Sequence, residues 1–367
     1  MIGHKVRARG KQRLKSILSS RVLMTTILGI VVLATLLSLS DFKTVWQIIQ
    51  GFPPHIIPVL FVLVAVRELF RSVEWRVFLN AIGIHASHRE AFLALAGGDA
   101  AQVVPGGLYL QDLLVSRELN TPVSAPLAAT TVMVWMEVTV AMLTLGMFGL
   151  PDLLELRVVM AFCGLGSLAV LLVMRASLLE RVRNYIRRWG AQPGGEIISW
   201  QHRLVHQTTA VLDDFIGAYE ALERPKVIVT GLLLCAAYMT LTYYGFYLVC
   251  ANLHLPGIGI AQAAAVYSLV LAIVIVNPLP SDLGISELSG VGAFLAFHVN
   301  PADGLAAMLT FRVLLLLGEE LVAAIAFLTF RRETQRLFQP AGAPAPAAEN
   351  DGGPPVGEVS ADGEVSL

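Results

Sequence analysis

Charge is scarce in this chain: Asp, Glu, Lys and Arg together form 14% of its 367 residues, against 56% hydrophobic residues. Soluble domains are usually about one-quarter charged, and the mean hydropathy here is +0.69. That balance excludes a soluble enzyme, a disordered scaffold and a secreted disulfide protein. Cysteine is scarce too. Cys163, Cys235 and Cys250 all fall inside apolar runs, where they act as small hydrophobes, and their spacing fits neither a disulfide framework nor a metal site.

Sequence signatures of chemistry are also missing. Gly10-Lys11 lacks the earlier Gly and the following Ser/Thr of a phosphate-cradling loop, so ATP-driven pumping is not expected. His202 and His206 stand four apart in H-R-L-V-H without the Glu of a zinc-protease helix, and His85 and His88 read as loop residues. No G-x-S-x-G elbow occurs. The expectation is a protein with no cofactor and no metal that is not an enzyme.

What the chain has instead is long apolar runs, the mark of membrane-spanning helices. Candidate spans are Val22–Leu39, Ile56–Phe70, Ala125–Leu150, Leu156–Met174, Val227–Ala251 and Leu305–Phe330. The first follows a leader, residues 1–21, holding seven Lys/Arg and no acid. A cleaved signal peptide is one reading of that pair; an uncleaved anchor suits the length of the run better. The positive-inside rule then puts both termini in the cytoplasm. Alternating the spans places Arg71, Arg76, Arg89, Arg117, the segment 175–226 and Arg331, Arg332 and Arg336 on the cytoplasmic side, leaving Lys43 and Arg157 outside. The basic leader reads as topology and lipid attraction, with no nucleic acid implied.

Two apolar stretches are interrupted. Residues 91–114 contain Gly97-Gly98-Asp99 and Pro105-Gly106-Gly107, and residues 261–299 contain Asn277-Pro278-Leu279-Pro280-Ser281-Asp282. Irregular backbone at membrane depth persists only when buried in protein or lining a watery cavity, so each reads as a re-entrant hairpin, with a kinked pair of ordinary spans as the alternative. The two breaks share a pattern. Pro105, Leu108, Leu110 and Asp112 are matched by Pro280, Leu283, Ile285 and Glu287 at a constant offset of 175 residues. Three crossings lie between them, so the hairpins enter from opposite faces, the inverted-repeat plan of many transporters. The expected fold is therefore an all-α integral membrane protein of about six full transmembrane helices plus two re-entrant helical hairpins. The membrane domain covers residues 22–332, with an amphipathic cytoplasmic helix near Trp200–Leu222 in the loop 175–226. An acidic Pro/Ala/Gly tail, residues 333–367, is expected to be disordered.

Ionisable residues at depth mark a candidate path: Asp99, Asp112, Glu137, Asp282, Glu287, Arg312, Glu319 and Glu320. Such residues cost roughly 2.5–3.5 kcal/mol at a helix centre and usually face a cavity or a partner. Structural ion pairs are the bland alternative. The candidate translocation set is Pro105, Gly106, Gly107, Asp112, Glu137, Pro280, Asp282, Gly284, Glu287, Arg312 and Glu319.

The stretch Pro278-x-Pro280-x-x-Leu283-Gly284-Ile285-x-Glu287, followed by a helix with Arg312, resembles the P-x-P-G-G-L-G-V-x-E region of the lysylphosphatidylglycerol synthase/flippase-like membrane family. Glu68 to Arg76, Val104-Pro105-Gly106 and Glu137 fall where that family has a basic-Trp-Arg stretch, a Pro-Gly break and an acidic span. Ser281-Asp282 departs from the usual Gly-Gly, Tyr109 from Gly, and Val138 from a basic residue. The resemblance implies a bacterial inner-membrane protein that moves or exports lipids. Nothing after Arg336 resembles a soluble synthase domain, so the flippase portion alone is expected. The function expected is a lipid flippase or headgroup transporter with a membrane lipid as substrate and an envelope-lipid biosynthetic enzyme as a possible partner. The rivals are an integral-membrane transferase or hydrolase acting on a lipid phosphate, and a structural subunit of an envelope lipid pathway.

Overall fold

The computed structural model describes residues 35, 42–101, 109–149, 154–173, 180–181, 183–185, 209, 213–276 and 284–338. Apart from Thr35, the first apolar run lies outside the described residues, as do Pro105, Gly106, Gly107, Pro280 and Asp282.

The described chain is helical. Its elements are α1 (Phe42–Gln50), α2 (Ile56–Ala81), α3 (His88–Ala100), α4 (Leu110–Glu118), α5 (Ser124–Phe148), α6 (Leu154–Val173), a helical stretch 213–222, α7 (Pro225–Asn252), α8 (Ile260–Val276), α9 (Ile285–Leu295), α10 (Pro301–Thr329) and α11 (Arg331–Phe338). Local sequence sets several starts. Ser87 and Glu90 exchange hydrogen bonds in a capping box that opens α3. Asn300 caps α10 by accepting from the Ala302 N–H at 2.9 Å, and proline occupies the first position of α7 and α10, where no N–H is needed.

Three of these helices are long and apolar enough to cross a bilayer: Ser124–Phe148, Leu154–Leu171 within α6, and Pro225–Asn252. On α6 only 11% of the apolar window is buried, and Phe162 and Leu165 are exposed. An apolar helix that turns its side chains outward has lipid as its natural solvent. With 26 and 29 residues, α2 and α10 are about 39 and 43 Å long, but both carry ionisable residues along their length.

Helices α2, α5, α7, α8 and α10 form the bundle, with α6 on the outside against α5. One core cluster gathers Trp75, Phe78, Leu93, Met133, Met136 and Tyr238. A second is aromatic: the Phe246 and Phe311 rings lie 5.1 Å apart and Phe311 meets Tyr267 edge-on at 5.5 Å. Helix α7 approaches α2 closely at Gly231, where a Cβ would stand 2.4 Å from the Phe78 ring.

Both interrupted stretches form pairs of short, mutually packed helices, α3 with α4 and α8 with α9. At 13 and 9 residues, α3 and α4 are about 20 and 14 Å long, so neither alone crosses a ~30 Å hydrocarbon core. The expected break at Gly97-Gly98-Asp99 does not occur. Helix α3 runs through it to Ala100, and Gly98 serves packing, since a Cβ there would lie 3.2 Å from the Gln111 Cβ of α4. The expected tail boundary also moves: α11 carries the fold to Phe338, six residues past 332. Leu337 is buried, Arg89 pairs with Glu333 at 3.2 Å, and the Arg89 guanidinium lies over the Phe330 ring. These contacts order a segment that composition alone assigns to the tail.

Candidate functional site: a buried ion-pair network between helices

Helix α2 decides the site. Its buried face runs Leu60, Val64, Arg71, Glu74, Trp75 and Phe78, so the apolar stripe turns ionic halfway along and then apolar again. Arg67 lies on the same face with its side chain 14% exposed. Steps of three and four residues keep all of these positions inward.

Two guanidinium groups on this face collect acids from three other helices. Arg67 Nη1 donates to Glu319 of α10 at 2.6 Å and also bonds Glu68. Arg71 Nη1 donates to Glu68 at 3.0 Å and to Asp99 of α3 at 2.9 Å, and its Nε lies 4.0 Å from Glu137 of α5. Glu137 in turn accepts from the Tyr238 hydroxyl of α7 at 2.7 Å. One network thus ties α2, α3, α5, α7 and α10 together. Its formal inventory is two cations against four carboxyls, with a fifth, Glu74, buried beside it. Such an excess of acid buried in the protein calls for protons or a cationic partner.

A second site lies at the start of α9. Gly284 sits at φ +84°, a conformation open to glycine, and its N–H donates to Glu287 at 2.7 Å. Glu287 also accepts from Ser286 Oγ at 2.9 Å and from Arg312 Nη1 of α10 at 2.7 Å. The carboxylate is buried, while the Arg312 side chain is 23% exposed.

The third acid of the candidate set keeps separate company. Thr130 Oγ1 donates to Asp112 at 2.6 Å and accepts from Gln111 Nε2 at 2.9 Å and Trp75 Nε1 at 3.1 Å. The threonine hydroxyl is then fully used. Asp112 and Glu287 are the third residues of α4 and α9, whose starts at Leu110 and Ile285 keep the 175-residue offset of the sequence pattern.

Of the candidate residues, Glu137 and Glu319 join the Arg67–Arg71 network, Gly284, Glu287 and Arg312 form the second site, and Asp112 binds Thr130. Glu320 is exposed on α10, one residue out of register with the inward face. Sequence reasoning missed Arg67, Arg71, Glu74, Tyr238 and Thr130 as site residues. Ending the second span at Phe70 put Arg71 in the cytoplasm, whereas the helix runs to Ala81 and buries it. The available signal was the inward register of Arg67, Arg71 and Glu74 with Leu60, Val64 and Phe78.

Beside Arg67 lies a small, open cleft between α2, α7 and α10. Its walls are Leu60, Leu63, Leu241, Phe311 and Leu314, and Arg67 is the charged group lining it.

The model of the lysylphosphatidylglycerol synthase TM region matches residues 26–318. The chain belongs to that family. The match takes in both sites and every network residue except Glu319, which follows directly after it. A search of curated proteins finds no match. Membership places the chain in a membrane and connects it with membrane lipids.

Proposed function

We propose that the chain moves a polar lipid across the membrane, binding the headgroup at the buried network while the acyl tails stay in apolar surroundings. The observation that supports this most is Arg67: a guanidinium held by Glu68 and Glu319 that also lines a largely apolar cleft. A lipid phosphate needs such a donor, and hydrocarbon tails need such walls. The surplus of carboxyls beyond Arg67 suits a headgroup that carries an amine as well as a phosphate. The network would replace the hydration that the headgroup loses, which otherwise costs several kcal/mol per polar group.

In this reading α3–α4 and α8–α9 are re-entrant hairpins entering from opposite faces, both termini are cytoplasmic, and the membrane is the bacterial inner one. The protein acts as a transporter, with no chemical change in the lipid. An envelope-lipid biosynthetic enzyme would supply its substrate.

Purified full-length protein in vesicles of phosphatidylglycerol and phosphatidylethanolamine tests the proposal. Acyl-labelled phosphatidylglycerol and aminoacylated phosphatidylglycerol should cross between leaflets chemically intact. Recovery of a modified lipid, or no crossing with either probe, defeats it. Cysteines placed at Gly107 and Asp282 should be labelled by water-soluble reagents from opposite faces, and same-face labelling would discard the inverted hairpins.

A further inference from the structure

Glu74 is the buried acid that the headgroup network leaves out. It is fully enclosed on α2; the Tyr238 hydroxyl is within its hydrogen-bonding reach, but that proton is given to Glu137, so neither carboxyl oxygen has a formed hydrogen bond among the described residues. The charged and titratable groups within electrostatic range of it are Glu137 from α5, Tyr238 and Cys235 from α7, and Arg71 from its own helix. The neighbouring helices α3 and α10 contribute Asp99 and Glu319, which Arg71 and Arg67 hold. Arg71 Nη1 is committed to Glu68 and Asp99, and Tyr238 gives its hydroxyl proton to Glu137 at 2.7 Å.

A lipid headgroup does not fit at a fully enclosed carboxyl. A proton does. While the Tyr238 proton is given to Glu137, an ionised carboxyl in this position would bear its desolvation cost without a formed hydrogen bond, whereas a carboxylic acid needs only an acceptor. The Tyr238 oxygen is one: it accepts from Cys235 Sγ at 3.5 Å and keeps a further lone pair. Glu137 beyond it is 16% exposed, so the line Glu74–Tyr238–Glu137 leads from an enclosed end towards an open one.

We propose that Glu74 is a proton-binding site and that Tyr238 relays its proton to Glu137. In the step, the Glu74 O–H bond breaks as a bond forms to the Tyr238 oxygen, and the original Tyr238 O–H breaks as Glu137 gains a proton. Tyrosine ends neutral, Glu74 ends as a carboxylate and Glu137 as an acid. The transfer removes a negative charge lying 4.0 Å from Arg71 Nε, and so changes the electrostatic balance of the network that holds the headgroup. This coupling rests on the transport reading above; the proton site itself does not.

Two measurements on the full-length protein in lipid vesicles separate them. Infrared difference spectra over a pH titration should show the carbonyl band of a protonated carboxyl that shifts in heavy water and is lost in Glu74→Gln. A band that persists in Glu74→Gln, or no such band in the wild type, overturns the proposal. Tyr238→Phe should keep the band but shift it, because the acceptor is gone; an unshifted band overturns the relay, and this variant decides the matter if Glu74→Gln does not fold. Headgroup movement of acyl-labelled phosphatidylglycerol should depend on pH in the wild type and lose that dependence in both variants, and an unaltered pH profile overturns the coupling. No headgroup movement in the wild type, with the Glu74 band present, removes the transport reading and upholds the proton site.

Discussion

Arg67 and Glu319 lie 252 residues apart in the chain and 2.6 Å apart in space, and this pair joins α2 to α10 beside the apolar cleft. The same arginine is both a link between helices and the charged lining of a cavity. That double position separates a structural ion pair from a binding group, and the two roles give different mutational outcomes.

Arg67→Ala should abolish headgroup movement in vesicles, and Arg67→Lys should restore part of it, because a lysine keeps the charge but loses the two-pronged donor. Membrane expression of Arg67→Lys should stay near wild type. Equal loss of protein and of transport in both variants would assign Arg67 to structure alone.

Arg71 should behave as structure. Arg71→Met takes the cation from Asp99 and leaves Glu68 with Arg67 alone, and breaking a buried pair by removing one partner costs about 3–5 kcal/mol. Thermal unfolding in detergent should show that loss, and Arg71→Met combined with Asp99→Asn should recover part of it. Additive effects of the two changes would mean that the pair is not coupled.

At the second site, Glu287→Gln and Arg312→Ala should each stop lipid movement while leaving most of the protein in the membrane. The Gly284 N–H still finds an acceptor in the glutamine side chain, so α9 keeps its start. Transport measured per folded molecule is the deciding quantity. Normal transport in a reduced amount of protein would make the pair a fastener between α9 and α10.

Thr130→Val should cost about 1 kcal/mol, the scale of a hydrogen bond between membrane helices, because Asp112, Gln111 and Trp75 lose their shared hydroxyl. Thermal unfolding checks it. A larger effect on transport than on stability would bring Asp112 into the headgroup path.

Close packing gives a steric test. Gly231→Val pushes a side chain into Phe78 and the Met136 sulfur, and overpacking of this kind costs typically about 1–3 kcal/mol. Gly166→Ala on the outward helix α6, where a Cβ meets nothing within 4 Å, should leave the unfolding temperature unchanged.

Much of the fold was legible because hydropathy acts along the chain. Long apolar runs became α5, α6 and α7, and the repeated Pro-Leu-Leu/Ile-acid pattern placed the starts of α4 and α9 at matching positions. That Glu287 and Arg312 belong to the site was legible from the cost of charge at depth; that they pair with each other was not. The central network was harder to read. A hydropathy window ends a span where charges begin, and so it cut α2 at Phe70 and turned Arg71 out to the cytoplasm. The helix kept going because α3, α5 and α10 bring Asp99, Glu137 and Glu319 to it.

The sequence by itself determined that the chain is a helical membrane protein, where its apolar helices lie and which acids repeat, because each of these depends on residues close together in the chain. Only the tertiary structure decided which acid meets which arginine, that Glu320 faces out while Glu319 faces in, and that Glu74 is fully enclosed. Electrostatic partners are chosen by distance in space, and helices packed from opposite ends of the chain set that distance.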